Sequence, residues 1–491
     1  MSLFTNTLKK NFKKVNYKFT VQLKKQFSSG QKADGYKLST TEQEHNDPKA
    51  YPFLISTKTG FLTRAESVTK LPEKFNIIES LLQRMPYYLP DGSPGLLQKG
   101  TFGATCDKEL PHLDFDGIDD TMVLLALYRE YSFICNAYLL EPCHLSWLKT
   151  GDDYGLGRDI LPKNISVPYL KLAQKLGLKT YLEYNTGYGL NNFTRKDKSK
   201  TATLENIDAI RWFIGTESEK GFVKVHVTIN EHGGNLIKSG VDVLKHAENN
   251  RREDFNNSLD EMKTTLMYMN YELDRMFVES SPNDYNTFRT FIMGIYNQPM
   301  FPKGVVYDGC YDNKPQFFRG ETGANDSIIP FADNILEITG MLPENILTEA
   351  LRDFRTYRPK SHSEFLQWTE DTAKDIGVQA FARKDNVSLL KLIEVADQVR
   401  QFRHCHWVLT NVYIMNKSTH PLATGGSPIV LWLPNQLLTV VKYIKANGAL
   451  IDTNKLPEHI RNTHRIVMNR AHTDETNIVN QVKARRQQYK Q

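Results

Sequence analysis

The stretch SLLKLIEVADQVRQFRHCHWVLTNVYIM, residues 388–415, carries its apolar residues at the three-and-four spacing of an α-helix. Leu392, Ala396, Val399, Arg403, His406, Thr410 and Tyr413 fall on one face of that helix. His406 follows Val399 by two turns and stands almost directly over it, whereas His404 lies about 200° round the axis. Only one of these histidines can face the interior, and the apolar pattern selects His406. A lone histidine on an apolar face is most often a core histidine. Arg403, one turn earlier on the same face, changes that reading, because a buried arginine needs an anion. A haem propionate would be such an anion, with the His406 imidazole as the axial ligand of its iron.

The same periodicity recurs on both sides of this segment. Leu124, Leu127, Tyr128, Tyr131, Ile134 and Tyr138 predict one helix. Tyr169, Leu170, Leu172, Leu176 and Leu178 predict another, opening after Pro168 as a first-turn proline would. Leu259, Met262, Leu266, Met269, Leu273 and Met276 form a stripe read as core packing rather than a cofactor box. Strand-like alternation is scarce, and the fold class is all-α. Polar, lysine-rich residues 192–203 read as the connection between a small helical domain, 50–195, and a large helical domain, 204–480, which the family resemblance given below implies is the haem-binding one.

Residues 1–49 read as a basic, disordered tail and linker. The first 33 residues hold eight lysines and no acid, which accounts for much of the net charge of +6. They resemble a mitochondrial presequence in lacking acids, but they also lack arginine. Solvated tail and targeting signal therefore both remain open, with a cytoplasmic protein as the main reading and a mitochondrial one as the alternative. No basic stripe marks the folded body, which argues against a nucleic-acid partner. The most apolar run, residues 121–140, is interrupted by Arg129 and Glu130, so no membrane span is expected. Five cysteines without CxxC or zinc-type spacing argue against a disulfide framework or structural zinc.

Several blocks then carry a family resemblance. Arg403-x-x-His406 is followed by Ala423-Thr-Gly-Gly-Ser427. Upstream stand Leu161-Pro-Lys-Asn-Ile-Ser-Val-Pro168-Tyr169, Arg289-x-x-x-x-Gly294 and Gly304-Val-Val-Tyr307-Asp-Gly309. Between these and the histidine lie Phe318-Arg-Gly320-Glu-Thr322-Gly-Ala-Asn-Asp-Ser327 and Leu351-Arg-Asp-Phe-Arg355-Thr-Tyr357-Arg-Pro359. In this order and spacing they resemble the indoleamine 2,3-dioxygenases.

That resemblance implies haem b, with His406 as proximal ligand, Arg403 meeting a propionate and pairing with Asp333, and Gly320 beside the cofactor. It implies Arg289 as the clamp on the substrate carboxylate. Thr424, on the flexible loop with Gly425, would meet the ammonium, Phe222 and Tyr138 would pack on the indole, and Thr322 would line the distal side. Tyr138 and Phe222 are equally readable as plain core. The implied reaction opens the indole ring of L-tryptophan or another indoleamine with O2, giving N-formylkynurenine, the first step of tryptophan catabolism. A reductant keeps the iron ferrous, and a monomer is the expected state. Two alternatives remain: a family member acting on a different indole, and an O2-binding haem protein without turnover.

The chain departs from the family pattern at three positions. His226, four residues after Phe222, stands where serine is familiar and resembles the distal histidine of the tryptophan 2,3-dioxygenases. Asp284 replaces an aromatic residue, and Glu321 enters a turn usually made of small residues. Two added carboxylates near a carboxylate clamp bear on substrate affinity.

Overall fold

The computed structural model describes residues 32–341, 346–420 and 422–489. Helices dominate, as expected, and the strands are two or three residues long. Ile160–Leu161 runs parallel to Val305–Tyr307, which pairs antiparallel with Pro315–Gln316. The polar break expected as a domain connection is a hairpin. Phe193–Arg195 pairs with Ile207–Ala209, and the Asn206 amide ties the loop between them to the carbonyls of Asp197 and Thr201.

The first long helix, Thr121–Thr150, is buried over most of its length, so its one-sided apolar pattern understates its burial. Arg129 and Glu130, the charges that interrupt its apolar run, are fully buried. They pair with each other at 2.5 Å, and Arg211 joins Glu130 at 2.6 Å and Glu79 at 2.5 Å. A buried charge cluster of this kind persists because every member is paired. The second helix opens at Lys163, five residues before Pro168, so the proline lies in its second turn rather than its first.

The methionine stripe is core. Leu259, Met262, Leu266, Met269 and Leu273 are buried on the Arg252–Asp274 helix, which packs between Gly233–Glu248 and Asn386–Thr410. The deciding helix spans Asn386–Thr410 and widens into a π-helical turn over Asn411–Met415. Ile429–Gly448 packs against it, and Glu458–Tyr489 packs on both.

Residues 32–49, expected as tail and linker, are packed onto the fold. Ala33 donates its N–H to Glu248 at 3.2 Å, Tyr36 meets Phe365 and Trp368, and Arg64 donates to the His45 carbonyl at 2.6 Å. Periodicity could not show this, because the segment is held by single contacts rather than by an apolar face. The lysine-rich run up to residue 31 lies outside the described residues. All five cysteines are buried and unpaired, and no helix among the described residues is long and apolar enough to cross a membrane.

Candidate functional site

The helical-face argument separates the two histidines. His404 faces the Glu458–Tyr489 helix, where its Nδ1 lies 3.2 Å from Asp474. His406 lies deep in the protein yet keeps accessible surface, and its ring makes no hydrogen bond among the described residues. Burial, reinforced by the nearby His226 imidazole, lowers its pKa to about 4. Arg403 pairs with Asp333 at 2.5 Å and also donates to the Gln436 carbonyl at 3.3 Å. Asp333 sits on the Ile328–Ile335 helix; burial raises its pKa and Arg403 opposes that rise. Its second carboxylate oxygen is buried without a partner among the described residues.

The Glu217–Glu231 helix brings Phe222 and His226 one turn apart, ring centroids 4.6 Å from each other. His226 also lies deep while keeping accessible surface. Its Nδ1 is 2.7 Å from the Phe222 carbonyl, four residues back. A carbonyl can only accept, so Nδ1 carries the proton and Nε2 keeps its lone pair. Burial lowers this imidazole's pKa and holds it neutral at physiological pH.

The aromatic wall includes residues that sequence reasoning missed. Tyr184 meets His226 edge-on at 5.4 Å, and its hydroxyl donates to Asp326 at 2.7 Å, which Asn230 also reaches at 2.7 Å. Tyr188 lies 6.2 Å from Phe222, and Tyr285 and Phe288 each lie 5.5 Å from it. Tyr184 and Tyr188 begin and end a single π-helical turn, a feature frequent at functional sites and without a period to read. Tyr138 is elsewhere. Its hydroxyl donates to Asp107 at 3.2 Å and Arg158 lies over its ring at 4.8 Å, so it packs against a neighbouring surface helix. The periodicity placed it correctly on a buried helix but could not say which neighbour it meets.

Arg289 ends the Pro282–Arg289 helix and is completely buried. One nitrogen donates to the Leu422 carbonyl at 2.8 Å, while Nε and Nη1 have no partner among the described residues. Its charge reaches His420, which burial and this guanidinium together hold down to about 4. A buried cation with two unsatisfied nitrogens is costly, so the arrangement calls for an anion. Asp284 does not supply it. It occupies the first turn of the same helix, where the dipole favours a carboxylate, and is partly exposed.

The loop after Leu422 closes beside this guanidinium. Thr424 donates its hydroxyl to the Glu321 carbonyl at 2.6 Å and accepts the Gly294 N–H on its own carbonyl at 2.9 Å. Gly320 is required by that packing: a Cβ there would lie 2.3 Å from the Gly294 nitrogen and 2.6 Å from the Thr424 oxygen. At Gly425 a Cβ would meet the Phe354 ring at 2.5 Å. Close packing on Phe354 favours a glycine at this position. Thr322, partly exposed, caps the turn that follows by accepting the Ala324 N–H at 3.3 Å.

A family model described as indoleamine 2,3-dioxygenase matches residues 49–449. The chain belongs to the indoleamine 2,3-dioxygenase family. It is 27% identical to indoleamine 2,3-dioxygenase 1 of Mus musculus over 66% of this chain and 77% of that protein. It is 24% identical to indoleamine 2,3-dioxygenase of Saccharomyces cerevisiae over 82% and 87% of the two chains. A 6-hydroxytryptophan 2,3-dioxygenase of Fusarium equiseti is 25% identical over 64% and 72%.

Against the family's small-residue turn, Glu321 stands out by its environment. Burial raises its carboxyl from 4.5 to about 8, and the neighbouring Glu183 adds to the rise. Above 4.5 the unfolded chain's carboxyl is ionised while the folded one keeps its proton. Wild-type protein therefore loses stability as pH rises through this window, by up to ~1.4 kcal/mol per unit. Glu321→Gln has no such charge to hold back. Its melting temperature is expected to gain on wild type progressively from about pH 5 to about pH 8. A difference that stays constant with pH would show the carboxyl ionised throughout.

Proposed function

We propose that this indoleamine 2,3-dioxygenase family member is a haem-dependent enzyme that opens the indole ring of L-tryptophan, or a related indoleamine, with O2 to give N-formylkynurenine. The observation that carries this reading is Arg289: a fully buried guanidinium, two of its nitrogens without an acceptor among the described residues, beside the aromatic wall. A protein that only stores O2 has no use for such a group, whereas an amino-acid carboxylate fits it bidentately.

The residues fit haem b. His406 offers an imidazole free of hydrogen bonds among the described residues, and Arg403, braced by Asp333, would meet a propionate. When bound, the haem supplies the O2 chemistry, with a reductant keeping its iron ferrous. The protein supplies position and a dry pocket. Arg289 would grip the carboxylate, and Thr424, held beside Glu321 and Gly294, would fix the ammonium end. Phe222, Tyr184, Tyr188 and Tyr285 would confine the indole and exclude water. His226 Nε2, unprotonated because Nδ1 is committed to Phe222, would accept the indole N–H and orient the ring. The Tyr184–Asp326–Asn230 cluster holds the neighbouring tyrosine in place against that imidazole. We read residues 50–195 and 204–480 as the small and large domains, with the haem and most of the site on the large one and Tyr184 and Tyr188 reaching it from the small one.

The experiment is turnover of L-tryptophan by reduced holoenzyme under 18O2. Both labelled atoms are expected in N-formylkynurenine, and no product from any indole would refute an enzymatic role. His226 has its own test. Wild-type protein is expected to discriminate against 1-methyl-L-tryptophan, which lacks the N–H and adds bulk, and His226→Ala to narrow that gap by about tenfold in kcat/KM. An unchanged ratio would show that His226 does not read the indole nitrogen.

A further inference from the structure

The residues that follow Thr424, Gly425 and Gly426, offer no side chain to hold the loop in shape, and Gly426 takes a φ of +80°. Glycines lose more conformational freedom on ordering than any other residue. Order here comes from donors outside the loop. The Leu422 carbonyl receives Arg289 at 2.8 Å, the Ala423 carbonyl Gln298 at 2.8 Å and the Thr424 carbonyl the Gly294 N–H at 2.9 Å. The Gly425 carbonyl receives Arg319 at 2.8 Å, and the Gly426 carbonyl Asn297 at 2.9 Å. Each carbonyl from Leu422 to Gly426 is thus captured, and Thr424 stands in the middle of the run.

Arg319 differs from the other donors. It is 5% exposed, and its guanidinium lies 4.2 Å from the centre of the Tyr296 ring and 4.6 Å from that of Phe354. Its Nε pairs with Asp353 at 2.5 Å, and its backbone N–H donates to the Tyr357 hydroxyl at 2.9 Å. A buried guanidinium is costly to desolvate, and an apolar side chain would fill the space between two rings without that cost. What the cation adds is a charge-assisted bond of fixed geometry to the Gly425 carbonyl. Two residues along the chain, the Glu321 carbonyl takes the proton of the Thr424 hydroxyl at 2.6 Å. With that proton committed, the hydroxyl oxygen is left as an acceptor, which is what an ammonium requires. One short segment therefore grips Thr424 twice, by its hydroxyl and by the carbonyl of the residue after it.

We propose that Arg319 is a positioning residue for the substrate ammonium. Through the Gly425 carbonyl it holds Thr424 in the orientation in which the hydroxyl oxygen accepts from that ammonium. The inference rests on the reading of Thr424 given above. Arg319 itself touches no reacting atom.

The test is a double-mutant cycle of Arg319→Met and Thr424→Ala. It is read as the dissociation constant of L-tryptophan from the ferric holoenzyme by calorimetry, and as kcat and KM of the reduced holoenzyme. Arg319→Met is expected to weaken binding and to raise KM by about tenfold each, with kcat within about twofold and haem content unchanged. In the Thr424→Ala background the same substitution is expected to add nothing, because the group it positions is gone. Arg319→Lys, which keeps a cation between the rings without the planar fork, should recover part of the loss, and it carries the cycle if the methionine variant does not fold. Losses that add in the double variant, or a fall in kcat or haem content alone, would make Arg319 purely structural and overturn the assignment. Tryptophan bound but not opened would remove the dioxygenase reading and leave the positioning role to the binding cycle. No binding by wild type would remove both.

Discussion

His406→Ala protein is expected to purify without haem, while His404→Ala keeps a full complement. The two histidines differ by two positions and point to opposite sides of one helix. His406 turns into the protein towards His226, and His404 turns towards Asp474. The check is the haem-to-protein ratio by absorbance, with circular dichroism to establish that both variants retain their helices. Haem loss confined to His404→Ala would reverse the assignment. The His404 variant should show its effect in stability instead. Asp474 keeps Arg400 as a partner, so that cost is the modest one of a part-exposed pair.

The second large effect is at Arg289. Removing a buried charged partner of a bound carboxylate costs roughly 2–5 kcal/mol, so Arg289→Met should lower kcat/KM for tryptophan by about two to three orders of magnitude with haem content unchanged. The same substitution should raise the melting temperature of the substrate-free protein, because it removes a buried cation with two nitrogens unpartnered among the described residues. Opposite signs for activity and stability are the signature of a binding group held at a cost to the fold. A variant that loses activity and stability together would place Arg289 in the framework instead.

Much of this site is legible in the chain wherever a residue repeats with its helix. His406 and Arg403 follow from a single helical face, and a spacing of four sets His226 beside Phe222, whereas Asp333 and Phe222 themselves are named only by the family resemblance. Tyr184 and Tyr188 are hidden because one π-helical turn has no repeating pattern. Tyr138 shows the opposite failure, since a correct helix and correct burial still leave its neighbour undetermined. The folded course of residues 32–49 escapes for another reason. It depends on partners more than two hundred positions away, Glu248 and Phe365 among them, that no local window contains.

The back of the histidine-bearing helix has a consequence for synthesis on the ribosome. Asp397 and Arg400 are paired there by Arg470 and Asp474, which lie 73 and 74 residues further along and beyond the family-matched region. A nascent chain that has just completed His406 therefore lacks the struts that fix that helix from behind. The face that carries His406 is thus braced from behind only once the Glu458–Tyr489 helix has emerged and docked.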